Sequence, residues 1–139
     1  MENILSITIK NHISEINTLN EVLTRLAAID ESIGKSVFKL NLALEEIVTN
    51  IISYGYPDKV DGLINISFSK KNDKLTICIE DEAVAFNPLE QEPPDTNLPA
   101  EERKIGGLGI HFVMKLMDKV DYARINGKNI LTLTKFLTN

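Results

Sequence analysis

An α+β domain, with helices on one face of a largely antiparallel sheet, follows from three features of the chain. The apolar period is 3.6 residues from 13 to 54, changes to 2 over 63 to 81, and is again 2 around Asn126-Gly127. Each period-2 stretch is split by a turn, so its strands form hairpins and pair antiparallel. At 139 residues the length suits one domain of about 150, which buries roughly 68 to 70% of its unfolded-chain surface.

Residues 3–10 alternate, Ile4, Ser6 and Thr8 against Leu5, Ile7 and Ile9, which predicts a first strand. Ile16, Leu19, Leu23, Leu26 and Ala27 then recur at helical spacing within 13–29. A second helix is expected over about 36–54, starting after Gly34 and stopping at Gly55-Tyr56-Pro57, with Gly just past the end and Pro beyond it. Ile64, Ile66 and Phe68 alternate with Asn65, Ser67 and Ser69; Asn72-Asp73 makes a turn, and Leu75, Ile77 and Ile79 alternate with Thr76, Cys78 and Glu80. Pro88, Pro93, Pro94 and Pro99 begin an irregular stretch that runs to Ile105. Its length exceeds the usual limit of about 12 to 15 residues for a loop in a compact domain, so it is either a disordered segment or a working lid. Glycines at 106, 107 and 109 follow, and Ile110, Val113, Met114 and Met117 supply a third helix with its apolar stripe. Asn126-Gly127, the strongest short hairpin signal, joins the last two strands.

Composition narrows the function. Hydrophobic residues make up 43% and charged residues 25%, too apolar for a disordered chain. The net charge is −5 with acidic residues spread along the chain, which argues against nucleic acid and anionic lipid as partners. The single cysteine, Cys78, permits no intrachain disulfide and makes a thiolate zinc site untenable. No signal peptide or membrane-spanning run is apparent, so a cytoplasmic location and no membrane partner are expected.

Three places hold candidate chemistry. On a wheel of the second helix, Val37, Leu40, Leu44, Ile47, Val48 and Ile51 form the buried face, and Asn41, Glu45 and Thr49 the solvent face. Glu46 and Asn50 belong to neither; one turn apart, they can share a ligand, or they are a solvated Glu and an Asn near a fraying end. Asp81 continues the phase of Leu75, Ile77 and Ile79. Either the strand ends at Glu80 and Asp81 starts a turn, or a carboxylate points into the core, where it is costly unless a donor meets it. Gly106-Gly107-Leu108-Gly109 opens a helix, which suits phosphate, or equally a junction that needs positive φ.

With these three features in order, the sequence resembles the ATPase/kinase fold shared by gyrase, Hsp90, histidine kinases and MutL. Within that group it is most similar to the bacterial anti-sigma factor serine-protein kinases of the RsbW type. LALEEIVTNIISYGY resembles their N box, DEAVAFNPL their first glycine box, and RKIGGLGIHFVMKLMDKVDYARINGKNILTLTK their second box and closing hairpin. The resemblance covers nearly the whole chain. It implies a single-domain Bergerat (GHKL) sandwich over 1–139, a largely antiparallel mixed sheet with helices on one face, and an ATP lid at about 88–105. ATP and Mg²⁺ are the implied cofactors.

The resemblance makes Glu46 the general base for a substrate serine and Asn50 the Mg²⁺ ligand through its side-chain oxygen. Glu45, on the wheel's solvent face, is the weaker candidate for the base. Asp81 becomes the acceptor of the adenine amino group, with Ala83 and Phe86 in the same nucleotide-binding box. Gly106, Gly107, Leu108 and Gly109 form the phosphate-binding turn, and Arg103 and Lys104 are γ-phosphate contacts. Three departures stand out. Ala83 replaces the glycine of Asp-x-Gly, where a methyl is expected to crowd the nucleotide or restrict the backbone. Tyr54 stands where many relatives have His, and Asn129-Ile130 stand where related ATPases often place Gly-Thr near adenine.

The activity implied is ATP- and Mg-dependent phosphorylation of a serine on a STAS-domain anti-sigma antagonist by a homodimer that also sequesters a sigma factor. A histidine kinase fits less well: His12 and His111 lie in no helical hairpin, and no length remains for a dimerisation domain or for the second domain of the large ATPases. The competing reading is a nucleotide-binding module, catalytically weak or inactive, that acts by partner capture; Glu46 and Asn50 argue against it and Ala83 for it.

Overall fold

A computed structural model describes residues 2–56, 61–87 and 107–137. The chain runs β1 (Glu2–Lys10), a 3₁₀ turn (Ile13–Glu15), α1 (Ile16–Ile29), α2 (Glu31–Gly34), α3 (Val37–Tyr54), β2 (Leu63–Lys71), β3 (Lys74–Asp81), α4 (Gly107–Leu116), β4 (Lys119–Ile125) and β5 (Lys128–Phe136). The five strands form one sheet in the order β1-β2-β3-β5-β4, and every described pairing is antiparallel, with no parallel pair to make it mixed.

Both hairpins sit where the turn residues put them. Asn126 and Gly127 have φ of 52° and 77°, the left-handed pair that a two-residue Asn-Gly turn needs to match the strand twist. Asn72 likewise has φ 55°. The α2 turn was not anticipated, because four residues carry no periodic signal. Its cap is nonetheless written in the sequence: Asp30 accepts from the Ser32 and Ile33 amides through Oδ1, and its Oδ2 pairs with Lys70 of β2.

The inward row of β2 (Ile64, Ile66, Phe68) and that of β3 (Leu75, Ile77, Ile79) are fully buried. They share one core with Leu19, Leu23 and Leu26 of α1 and Leu40, Ala43, Leu44, Ile47 and Val48 of α3. Helix α3 packs against both α1 and α4. That explains one correction: Asn41, Glu45 and Thr49, expected on a solvent face, are half-buried, since two helical neighbours leave little of the cylinder open. The Asn41 Oδ1 is buried with no hydrogen-bond partner among the described residues.

Candidate functional site

The α3 pair forms as the wheel proposes. Glu46 and Asn50 are both half-buried, and Asn50 Nδ2 donates to Glu46 Oε1 across 3.2 Å. This bond fixes the carboxamide, because only its nitrogen can donate to a carboxylate. The Asn50 Oδ1 therefore faces away from Glu46 and accepts from no described residue. A neutral oxygen of this kind suits Mg²⁺, which takes few protein ligands and completes its shell with water and phosphate oxygens. Among the described residues no three His, Cys, Asp or Glu side chains gather as a metal cage.

Asp81 resolves its two readings in favour of the inward one. It is the last residue of β3, keeps the phase of Leu75, Ile77 and Ile79, and is 4% exposed. Its Oδ1 accepts from the Ala83 amide at 2.9 Å and from Asn129 Nδ2 at 3.0 Å. Desolvation pushes its pKa above the ordinary carboxylate value, and the Asn129 and Ala83 hydrogen bonds and the nearby Arg124 charge oppose the rise only in part. The other oxygen, Oδ2, accepts no hydrogen bond from a described residue. The same buried charge, after burial itself, helps raise the pKa of Tyr56 at the end of the helix segment.

Helix α3 and this carboxylate are fastened together. The Gly55 carbonyl, at the C-cap of α3, accepts from the Val84 amide at 2.9 Å. Gly55 has φ −83°, so glycine is not there for a left-handed turn, contrary to the usual helix-stop reading. It is there for space: a Cβ at 55 would stand 2.6 Å from the Ile51 carbonyl oxygen and 2.7 Å from the Ala83 methyl. This removes one concern about the Asp-x-Gly departure. Ala83 is outside the positive-φ region, is 4% exposed, and turns its methyl toward the gap at Gly55. Phe86, from the same turn, is 44% exposed.

The glycine cluster is placed in part. Helix α4 begins at Gly107, so Gly107, Leu108 and Gly109 lie in its first turn instead of in a loop before it. Gly106, Arg103, Lys104 and the expected lid at 88–105 lie outside the described residues.

Asn129 has a role that the sequence reading missed. It is 6% exposed and pairs in register with Asp81, next to the Ile79–Leu131 and Ile77–Leu133 pairs. Its carboxamide reaches Asp81, the Val84 carbonyl at 2.9 Å and, from the Tyr122 hydroxyl and the Phe86 amide, accepts two bonds. Arg124 donates to the Ala83 carbonyl at 2.8 Å. A signal for Asn129 was available: like Asp81, it continues the inward phase of an apolar row, here Leu131 and Leu133. Reading positions 129 and 130 only as a lost Gly-Thr hid that phase.

Comparison with known proteins gives the family and the fold. The profile of the histidine kinase-like ATPase domain matches residues 10–135. An anti-sigma F factor of Clostridium beijerinckii is 32% identical over 126 residues, covering 84% of this chain and 87% of the relative. A serine-protein kinase RsbW of Bacillus mycoides is 33% identical over 102 residues, covering 70% of this chain and 62% of that protein. The chain thus spans less than two thirds of that kinase. In fold, all of it superposes on 33% of a Mycobacterium tuberculosis chain holding the RsbU and RsbW domains of Rv1364c, with TM-score 0.66 and 18% identity. A histidine kinase domain from Erythrobacter litoralis gives 0.57 over 90% of this chain and 60% of its own, at 13% identity. No described helix is long and apolar enough to cross a membrane. The chain belongs to the histidine kinase-like ATPase domain family, and within it to the bacterial anti-sigma factor serine-protein kinases.

Proposed function

We propose that this chain transfers the γ-phosphoryl group of ATP to a serine of a STAS-domain anti-sigma antagonist, and that it works as a homodimer that also captures a sigma factor. The observation that carries the reading is the bonded Glu46–Asn50 pair, on a helix whose end is tied to the turn after Asp81. Phosphoryl transfer asks the protein for positioning and charge stabilisation more than covalent chemistry. In this arrangement Asp81 accepts the adenine amino group, while Ala83 and Phe86 border the base. Glu46 Oε accepts the serine hydroxyl proton as that oxygen bonds to the γ-phosphorus and the bond to the ADP oxygen breaks. Asn50 Oδ1 would hold Mg²⁺, which supplies neutralisation of phosphate charge. The first turn of α4, from Gly107 through Leu108 to Gly109, offers backbone N–H groups to phosphate, with Gly106, Arg103 and Lys104 as further contacts.

The partner-capture alternative drew its support from Ala83. With φ negative and the methyl accommodated at Gly55, that residue no longer favours it.

Thermal unfolding with and without Mg-ATP, Mg-ADP and EDTA, on wild type and Asn50→Ala, tests the reading. Ligand at about 100 times its dissociation constant adds roughly 2.7 kcal/mol, or about 5 to 10 °C in a domain this size. A Mg-dependent rise in wild type that disappears in Asn50→Ala is expected. No rise with any nucleotide at millimolar concentration rejects the nucleotide site.

A further inference from the structure

Every functional group of the Asn129 side chain is committed, and the commitment has a direction. Nδ2 lies 3.0 Å from a carboxylate oxygen of Asp81, 2.9 Å from the Val84 carbonyl and 3.4 Å from the Ala83 carbonyl, all acceptors. Oδ1 faces the Tyr122 hydroxyl and, at 3.4 Å, the Phe86 amide, both donors. Turning the carboxamide over would set its oxygen against three acceptor oxygens in a site 6% exposed, so a single orientation is allowed. One side chain of β5 thereby holds a carboxylate of β3 and three of the five backbone positions from 82 to 86.

The consequence for Asp81 is geometric. Oδ1 is held by two donors, the Ala83 amide from its own turn and Asn129 from the next strand. These fix the plane of the carboxylate, and Oδ2 is left without a described donor. Among the described residues, Asn129 is the only side chain outside the Asp81 turn that hydrogen-bonds to this carboxylate.

We propose that Asn129 is the positioning residue for base recognition: by occupying Asp81 Oδ1 and clamping the 82–86 turn, it aims Asp81 Oδ2 at a base that carries an exocyclic amino group. Tyr122 acts behind it, locking the carboxamide from β4. The proposal rests on the reading that Asp81 accepts the adenine amino group. It adds that selectivity for that group is set from β5, by a residue that does not touch the base.

Isothermal titration of Mg-ADP and Mg-IDP separates positioning from a purely structural clamp, because inosine diphosphate carries a carbonyl where adenine carries the amino group. Wild type is expected to prefer ADP by at least about tenfold, as sites built to pair a polar group do. Asn129→Ala is expected to weaken ADP about tenfold and IDP by less than about threefold, so that the preference collapses, in line with loss of one oriented hydrogen-bond partner. Tyr122→Phe, which removes one oxygen from a half-buried ring, is expected to lower the preference about two- to fourfold by loosening the same carboxamide. It keeps the proposal testable if Asn129→Ala does not fold. Equal losses for both nucleotides, or an unchanged preference in a folded Asn129→Ala or Tyr122→Phe, overturn the proposal. A wild type that binds both nucleotides equally overturns the adenine reading of Asp81 itself, and a distinct result of this kind identifies which of the two has failed.

Discussion

Ala83 and Gly55 form a complementary pair of sizes, and exchanging those sizes tests whether the altered glycine box impairs the site. Ala83→Gly deletes a methyl that is 4% exposed, at about 0.8 kcal/mol for the buried carbon, and adds backbone freedom worth about 0.5 to 1 kcal/mol. The expected loss is about 1.5 kcal/mol, which at a urea slope of about 2 kcal/mol/M lowers the midpoint by about 0.7 M. Gly55→Ala drives a new Cβ to 2.7 Å from the Ala83 methyl and 2.6 Å from the Ile51 carbonyl oxygen, an overpacking that costs about 1 to 3 kcal/mol. In the double variant the methyl contact is gone and the carbonyl contact remains. The rescue is therefore partial, with the combined loss smaller than the sum of the single losses by at least about 0.5 kcal/mol. Titration of the same proteins with Mg-ADP is expected to leave the Ala83→Gly affinity within about threefold of wild type, because the methyl is turned toward Gly55 and accounts for less than about 0.7 kcal/mol of binding. Strict additivity in urea, or a tenfold tightening of nucleotide, would refute this reasoning and show that the methyl projects into the nucleotide space.

Glu46→Gln is expected to bind Mg-ATP normally and to lose serine phosphorylation by about 10² to 10⁴, the usual contribution of a positioned base; transfer at the wild-type rate removes Glu46 from that role. Asp81→Asn is expected to raise the melting temperature while weakening ADP, because burial penalises a charged carboxylate at this position; a lowered melting temperature contradicts this. Asp30 is held at about 2 against an ordinary 3.8, chiefly by the Lys70 hydrogen bond, so its contribution is complete above 3.8 and disappears as pH falls through 2. The shift of about 1.8 units corresponds to about 2.4 kcal/mol, reduced to about 1 kcal/mol by screening of a pair about one quarter exposed. Asn at 30 can still cap α2, so Asp30→Asn isolates the charge: its deficit in urea is expected in full at pH 6 and mostly lost at pH 2.

Much of this molecule is legible because its apolar rows are regular. The hairpin at Asn72-Asp73, the one at Asn126-Gly127 and the long α3 follow from period and turn chemistry, and Asp81 was suspect because it broke a row without breaking its phase. Other features depended on partners that a linear pattern does not specify. The wheel separated Glu46 and Asn50 from both faces of α3. It could not show that α1 and α4 together would half-bury Asn41, Glu45 and Thr49. Gly55 reads as a stop signal in sequence, yet its requirement comes from space: an added Cβ would stand 2.6 Å from the Ile51 carbonyl oxygen and 2.7 Å from the methyl of Ala83, some thirty residues away. At 129–130 the absent Gly-Thr conceals that Asn129 keeps the inward phase of Leu131 and Leu133.

The pairing of Asp81 with Asn129 shows how such a site is built into a sheet without unfolding it. Each residue ends the inward row of its strand, and the two strands are neighbours in register, so two polar groups replace one apolar rung at the edge of the core. Either alone would leave a buried polar group unpaired, at a cost of about 1 to 3 kcal/mol or more for a charge. Together with the turn after β3 and Tyr122 they satisfy each other, except at one carboxylate oxygen that has no donor among the described residues. It belongs to a residue that is 4% exposed, and the desolvation that raises the Asp81 pKa also strengthens the attraction of this oxygen to an N–H group. A ligand amino group completes the set. A carbonyl at the same position of the base brings a third oxygen dipole against the carboxylate, so the arrangement that costs the empty protein stability is the one that discriminates between bases.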